Sequence, residues 1–196
     1  MASLVLSGDT SGSITVSAPT VAGSNTQTLV ATTGTLAPVV SGTAVASTSG
    51  TSIDFTSIPS WVKRITVMFS GVSTNGSSVK QIQIGDSGGI ETTGYSASSA
   101  YFNTSGSFNN IQATSGFIIN SVVATDAIAG SFIISCLDTT TNTWTINGSA
   151  ATGNTATALL LSGGAKSLSS TLDRVRITTV NGTDTFDAGT INILYE

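Results

Sequence analysis

Histidine is absent from the chain, and cysteine occurs once, at position 136. Without histidine the chain lacks the side chain that most often serves as a general base or a metal ligand near neutral pH. A single cysteine excludes an internal disulfide and, with no histidine, a structural zinc site. Because these absences remove much hydrolytic and metal-dependent chemistry, we expect neither an enzyme nor a cofactor.

Charged residues are scarce as well. They make up 8 % of the 196 residues, and the formal net charge is −4, whereas soluble proteins carry roughly 25 % charged residues. The acidic balance and the scattered basic residues argue against nucleic acid as a partner. A mean hydropathy of +0.32 with so little charge favours association. We therefore expect copies of the chain or other proteins to cover much of its surface.

Long hydrophobic runs are also missing. A run such as ALLL at 158–161 is far shorter than the about 18 apolar residues that suggest a membrane helix. The first residues, MASLVLSGDTSG, lack the basic start and the long apolar core of a signal peptide. We expect no membrane insertion, and synthesis in a cytoplasm.

The chain offers instead a clear strand pattern in SIDFTSIPSWVKRITVMFSGV, at 52–72. From residue 61 successive side chains fall on opposite sides with a period of two, and Pro59 suits the start of a strand. We predict a central strand at 61–70. Large apolar groups occupy both of its sides, so one side should meet the core while the other, with Val62 and Met68, lies at a subunit interface.

Short strands separated by turns continue to the end of the chain. The pattern predicts them near 43–48, 52–57, 61–70, 79–84, 93–102, 116–124, 130–138, 142–147, 155–162, 172–180 and 189–195. Turn signals are Thr74-Asn75-Gly76, Asn147-Gly148, Gly163-Gly164 and Asn181-Gly182. No segment long enough to form a helix shows the apolar period of 3.6 residues that is typical of one. The fold class expected is all-β, an antiparallel β-sandwich of jelly-roll-like form.

Residues 1–42 differ from the remainder. They contain no aromatic residue and only one charged residue, Asp9, but aliphatic residues recur throughout, with short strands predicted at 13–17 and 26–31. Such a segment cannot build a core alone. We interpret it as an extended N-terminal docking arm, with Leu29 and Val30 at a subunit interface, followed by a sandwich domain at 43–196. A flexible leader is the alternative.

The motif GDSGG, Gly85 to Gly89, is the nucleophile motif of chymotrypsin-like serine proteases. That chemistry needs a histidine base, and the chain has none. We interpret the motif as a tight turn after the strand that ends at Ile84. The carboxylates are too few and too scattered to suggest an acid/base pair, although a glycosidase pair assembled from distant loops stays open.

A polar region rich in aromatic residues follows. Rings beside asparagine and serine side chains are typical of a saccharide-binding surface, which combines apolar faces with hydrogen bonds. The candidate glycan-binding residues are Tyr95, Tyr101, Phe102 and Asn103. The alternative is that these rings fill the core or a subunit interface. Trp61 and Trp144 lie within strong strand patterns and are expected in the core.

Three stretches carry a family resemblance: TSIDFTSIPSWVKRITVMFSGVSTNG at 51–76, QIQIGDSGGIETTGY at 81–95 and FDAGTINILYE at 186–196. They resemble the C-terminal β domain of many tailed-bacteriophage virion proteins, of the tail-fibre-like or structural kind. The leader at 7–36 is similar to the segment that precedes such domains in phage fibre proteins. The resemblance implies trimers and a place in the virion, and it supplies no catalytic or binding residue.

Two functions remain open on these grounds. The first is a non-enzymatic homotrimeric fibre or spike, docked on other virion proteins through residues 1–42, with an outward β domain that adheres to host surface glycans. The second is a capsid decoration or head-fibre protein that binds the shell. An enzyme that degrades glycans is a remote third possibility.

Overall fold

The computed structural model describes residues 3–7, 11–17, 20–21, 37–153 and 157–196. The chain divides into two compact units, Met1–Leu36 and Ala37–Glu196. Sixteen strands lie in the described residues, in three antiparallel sheets. None of these residues forms a helix of the length and apolarity needed to cross a membrane.

The first unit contains a hairpin of β1 (Ser3–Ser7) and β2 (Ser13–Ser17). The predicted strand at 13–17 is confirmed, whereas the predicted strand at 26–31 lies outside the described residues. Because paired residues share a face of the sheet, the pairs Leu4↔Val16 and Leu6↔Ile14 give the hairpin one aliphatic face. All four of these side chains are more than half exposed.

The larger sheet of the second unit has nine strands, in the order β10-β9-β14-β13-β12-β6-β16-β3, with β4 also paired to β16. Its strands are β3 (Val40–Ser41), β4 (Val45–Ala46), β6 (Arg64–Thr74), β9 (Ser96–Asn103), β10 (Phe108–Ala113), β12 (Ala127–Asp138), β13 (Thr143–Gly153), β14 (Ala158–Ser167) and β16 (Phe186–Tyr195). The predicted central strand is β6, which is an interior strand between β12 and β16.

The smaller sheet has five strands, in the order β11-β7-β15-β5, with β8 paired to β7. Its strands are β5 (Ser52–Phe55), β7 (Lys80–Asp86), β8 (Gly89–Ile90), β11 (Phe117–Ile119) and β15 (Arg174–Thr179). Both sheets contribute to one hydrophobic core: Ile82, Ile84, Val175 and Ile177 from the smaller sheet join Ile65, Val67, Phe132 and Ile134 from the larger. The all-β antiparallel sandwich is therefore confirmed, and the jelly-roll connectivity is not.

The second unit begins at Ala37, not at the predicted residue 43. Residues before 43 belong to it because β3 pairs with β16 and because the Gly42 N–H donates to Ile193 O at 2.8 Å. This segment continues the edge of the larger sheet. The strand signal before residue 43 was too short to recognise, since β3 is only 2 residues long, whereas β4 lies within the strand predicted at 43–48.

The entrance to β6 departs from the predicted alternation. The Val62 N–H donates to Pro59 O at 3.0 Å, so a turn precedes the strand and the pleat begins at Arg64. Val62 consequently points inward and is 2 % exposed, whereas Trp61 is 39 % exposed and packs on Tyr195. The predictions of a core Trp61 and an interfacial Val62 are both wrong. Trp144 is buried, as predicted.

Two of the four predicted turns are strand interiors. Asn147-Gly148 lies inside β13 and Gly163-Gly164 inside β14. A Cβ at Gly148 would come within 2.5 Å of Ser131 O and 2.6 Å of Phe132 Cα on the neighbouring strand. Gly148 therefore allows the backbones of β13 and β12 to approach each other beside the ring of Phe132, and it does not form a turn.

Candidate functional site

The four predicted glycan-binding residues do not form one surface. Tyr95 is 3 % exposed, and its ring meets Phe117 edge to face at 4.9 Å between centroids. Its hydroxyl accepts from the Ile84 N–H at 2.8 Å and donates toward the Glu91 carbonyl at 2.9 Å. Burial is the main cause that raises the pKa of Tyr95. The prediction that Tyr95 contacts a saccharide is wrong, because the ring fills the core.

The other three residues point to different sides of β9. Tyr101 is half-buried and packs against the core, whereas Phe102, the next residue, is 42 % exposed on the outer side. Asn103 closes the hairpin between β9 and β10, where its Oδ1 accepts from the Ser107 N–H at 2.8 Å. Of these residues only Phe102 offers an exposed ring, and it stacks on Phe108 at 5.0 Å between centroids.

The predicted interface residues also separate. Val62 belongs to the core of the domain itself. Met68 lies on the outer side of β6 and is half-buried, so it remains a candidate for a subunit interface. Leu29 and Val30 lie outside the described residues.

The outer face of the larger sheet carries a line of exposed apolar residues, which we name the apolar row. Because paired residues of neighbouring strands share a face, the pairings place five side chains in one line across the sheet. The row runs Phe108, Phe102, Leu159, Ala151, Ala129. A second line beside it contains Ala100, Leu161 and Met68 among polar uncharged residues. Leu159 is 48 % exposed and Leu161 is 42 % exposed.

Charge is almost absent around the apolar row. β9, β10 and β13 contain no Asp, Glu, Lys or Arg, and the one such residue of β14, Lys166, is buried in an ion pair with Glu91. Soluble proteins usually place charge on exposed sheet surfaces and edges to prevent association. Four adjoining strands without outward charge therefore present a surface suited to contact with protein.

The outer face of the smaller sheet is polar instead. Two lines of paired residues cross it, Asp54↔Arg176↔Gln83 and Ser52↔Thr178↔Gln81. Except for Asp54, these residues form the floor of a groove of about 300 Å³, which we name the polar groove. The loop after β15 supplies its rim with Val180, Asn181 and Gly182.

Hydrogen bonds fix the side chains of the polar groove. Arg176 donates from Nε and Nη2 to the two carboxylate oxygens of Asp54, both at 2.7 Å, and this pairing raises the pKa of Arg176. Gln83 Nε2 donates to Ser115 O at 2.8 Å, and Ser115 Oγ donates to Gln81 Oε1 at 3.0 Å. Both glutamines are buried although they face away from the core.

The GDSGG motif is the turn between β7 and β8. Asp86 Oδ1 accepts from the Gly88 N–H at 2.8 Å, and Oδ2 accepts from Ser169 Oγ at 2.7 Å, which lowers the pKa of Asp86. A Cβ at Gly85 would overlap the Gly89 carbonyl, and Gly89 has a φ of 130°, so the hairpin itself requires both glycines. The motif has a structural role in this turn.

Lys80 and Asp126 are buried and interact electrostatically, and we name the two residues the buried lysine cluster. Lys80 Nζ, Ser121 Oγ and both carboxylate oxygens of Asp126 are buried without a hydrogen-bond partner among the described residues. Burial lowers the pKa of Lys80 and raises the pKa of Asp126, while each charge partly stabilises the other. No group of three His, Cys, Asp or Glu residues in the described part of the chain is placed to hold a metal ion.

No protein-family model, curated protein or solved structure matches the chain.

Sequence reasoning missed the polar groove. The alternation QIQI at 81–84 does place Gln81 and Gln83 outward, and RVRIT at 174–178 does the same for Arg176. The missing information was that β7 and β15 are neighbours, since the pairing joins residues far apart in the chain. An observer who knew the strand order could have found the groove from the sequence.

Proposed function

We propose that the chain is a non-enzymatic bacteriophage virion protein, a short homotrimeric fibre or spike with an N-terminal docking arm and an outward β domain that adheres to the host surface. The observation that carries the proposal is the apolar row on an uncharged face of the larger sheet. The resemblance of 51–76, 81–95 and 186–196 to virion β domains supplies the biological context.

The apolar row supports self-association. Its exposed members Phe108, Phe102 and Leu159 lie together, and contiguous apolar patches on soluble proteins mark contact sites. A surface without charge on either partner has no electrostatic barrier to meeting its own copy. Three copies around a common axis would each bury such a face, and oligomers of this kind have closed symmetry.

The hairpin of β1 and β2 supports a docking arm. An isolated two-stranded hairpin is at best marginally stable in water. Leu4, Leu6, Ile14 and Val16 are 54 % to 69 % exposed, so the aliphatic face is free to pack on a partner. We propose that this partner is another virion protein, bound through residues 1–42.

Mass measurement in solution tests the proposal. The chain has a mass of 19.6 kDa, and size-exclusion chromatography with light scattering at micromolar concentration should give three times that value. A monomer at that concentration would refute the trimer. Assembly on virions with and without residues 1–36 tests the arm, and equal incorporation would refute its docking role.

A capsid decoration protein is the second candidate. Residues 37–196 form one compact unit of packed sheets, with no extended stalk among the described residues of that unit. A broad uncharged sheet face also suits contact with a flat protein shell. Reconstruction of the whole particle by electron cryomicroscopy separates the two: density on the head would support decoration, and density on the tail would support the fibre.

A further inference from the structure

The two outer faces of the sandwich differ in chemistry, and the difference indicates different neighbours. The larger sheet exposes Phe102, Phe108 and Leu159 without nearby charge, whereas the smaller sheet presents the guanidinium of Arg176, the carboxylate of Asp54 and the hydroxyl of Ser52. Apolar surface gives up no hydrogen bonds when a protein covers it, but covered polar groups must find new hydrogen-bond partners in place of water. The polar face is therefore suited to water or to a hydrogen-bonding ligand.

The polar groove has the fixed geometry of a binding site. Side chains on a solvated sheet face usually move between rotamers, and ordering them costs free energy when a ligand binds. In the groove Asp54 holds Arg176 through two hydrogen bonds, and Ser115 holds Gln81 and Gln83. These side chains are already ordered in the folded protein, so a ligand would lose little free energy in ordering them.

A purely structural role accounts for only part of the network. The bonds from Ser115 to the two glutamines fasten the segment before β11 onto β7, which is a sufficient reason for those contacts. That reason does not extend to Arg176 and Asp54, which lie on β15 and β5 and contact no part of that segment through these bonds. The ion pair is about one-third exposed, and its Arg176 lines the groove while Asp54 lies beside it.

The charges in the groove cancel, and this restricts the class of ligand. Arg176 is paired with Asp54, and the remaining floor and rim groups are amides, hydroxyls and backbone. An anion would have to compete with Asp54 for the guanidinium, and a cation would have to compete with Arg176 for the carboxylate. A neutral polyhydroxyl compound avoids this competition, because amides and hydroxyls both donate and accept hydrogen bonds.

We propose that the polar groove binds one or two units of a neutral saccharide. Its volume of about 300 Å³ lies at the small end of ligand sites. Arg176, Ser52 and Asn181, which are at least partly exposed, supply hydrogen bonds to sugar hydroxyls, and Val180, which is 48 % exposed, supplies an apolar contact at the rim. The inference rests on the proposed function in one respect, since an adhesion protein would carry this face outward.

Saturation-transfer NMR with the full chain tests the site. The probes are maltohexaose, cellohexaose, chitohexaose and mannohexaose, with polysialic acid as an acidic comparison, and an array of neutral glycans extends the set. We expect transfer to at least one neutral probe. A response to polysialic acid alone, or to no neutral glycan on the array, would overturn the proposal.

A matched pair of variants locates the binding. The double variant D54A/R176A removes the ion pair of the groove, and D173A/R174A removes a neighbouring pair of the same net charge outside it. We expect D54A/R176A to weaken binding by at least about tenfold, as charge-assisted hydrogen bonds are lost, and D173A/R174A to bind like the wild type. Equal binding by both variants would place the ligand elsewhere and overturn the proposal.

The same samples separate the two proposals. Both double variants alter partly exposed ion pairs, so they should keep the fold, which circular dichroism verifies. Absence of saccharide binding by a protein that light scattering shows to be trimeric refutes only the groove. A monomer that binds saccharide through Arg176 refutes the trimer and leaves the groove intact.

Discussion

The hydroxyl of Tyr95 supplies a hydrogen-bond partner to the backbone at Ile84, in the half of β7 that extends beyond its partner β11. β11 pairs with β7 only as far as Ile82, so its ladder does not reach the Ile84 N–H. The tyrosine hydroxyl accepts from that N–H, and its single proton is shared between the carbonyl of Glu91 at 2.9 Å and that of Ile84 at 3.1 Å. Its polar end is therefore part of the sheet, and its ring is part of the core.

Replacement of Tyr95 by Phe should destabilise the domain. The ring would remain, but the Ile84 N–H would lose its partner in a buried place, at a cost of about 1–3 kcal/mol. Guanidinium unfolding followed by tryptophan fluorescence measures the change. Tyr101→Phe is the control, because Tyr101 is only half-buried, and we expect it to have a smaller effect. Equal losses from the two variants would contradict the role given to the Tyr95 hydroxyl.

At the buried lysine cluster we expect substitution to stabilise the domain, whereas Tyr95→Phe should destabilise it. Removing both charges with K80M/D126N should raise the free energy of unfolding at pH 7 by about 1–3 kcal/mol, because both groups are buried without a hydrogen-bond partner and such burial costs free energy. K80M alone should be less stable than the double variant, since the buried Asp126 would lose the opposite charge that partly stabilises it. Wild-type stability in both variants would contradict this account.

The pH dependence of the cluster follows from the two shifts. The pKa of Asp126 is raised in the folded state, so its favourable contribution is complete below the unfolded value and is lost as the pH rises through the folded value. The pKa of Lys80 is lowered, so its favourable contribution is complete above the unfolded value and is lost as the pH falls through the folded value. Near neutrality both groups therefore oppose folding. The difference in free energy of unfolding between K80M/D126N and the wild type should therefore decrease as the pH falls from 7 toward 4.

At the scale of elements, the period-2 pattern predicted where most strands lie, but it did not find every strand. β10 (Phe108–Ala113) was missed, because FNNIQA has two adjacent asparagines and its outer face is exposed. Its strand character comes from pairing with β9, which includes Phe108↔Phe102. Propensity carries no record of such cross-strand partners.

Strand β16 should be indispensable, because it pairs with β6 along most of its length and contributes buried residues to the core. Ile191 is fully buried, and Ile191→Ala should lower the free energy of unfolding by about 2–5 kcal/mol. Thr190→Ala, on the exposed neighbour, is the matched control and should cost far less. Chemical unfolding measures both variants. If Ile191→Ala lowers the free energy of unfolding no more than Thr190→Ala does, β16 is not essential to the stability of the domain.

For the whole molecule, the sequence predicted the sandwich but not which of its faces carry function. The composition indicated association, yet the residues chosen for it included Val62, which a turn at Pro59 directs into the core. The apolar row was invisible because its members come from five strands, and only the pairing brings them into one line. The order of strands in a sheet is the information that local patterns lack.

A single charge in the apolar row tests the association surface. Leu159→Lys would place a buried ammonium from each copy at the contact, and we expect light scattering to give the monomer mass while circular dichroism stays unchanged. Val180→Lys is the matched control, because Val180 is also 48 % exposed but lies by the smaller sheet. Trimers of the Leu159→Lys protein would place the contact elsewhere.

The pairing of β6 with β16 also sets the order in which the molecule can fold. Tyr195 pairs with Ile65, 130 positions earlier in the chain, and β6 has β12 on its other side. During synthesis β6 therefore has an unpaired edge until β16 has left the ribosome, and such an edge is prone to pair with other chains. Topologies with such distant pairings fold in milliseconds to seconds.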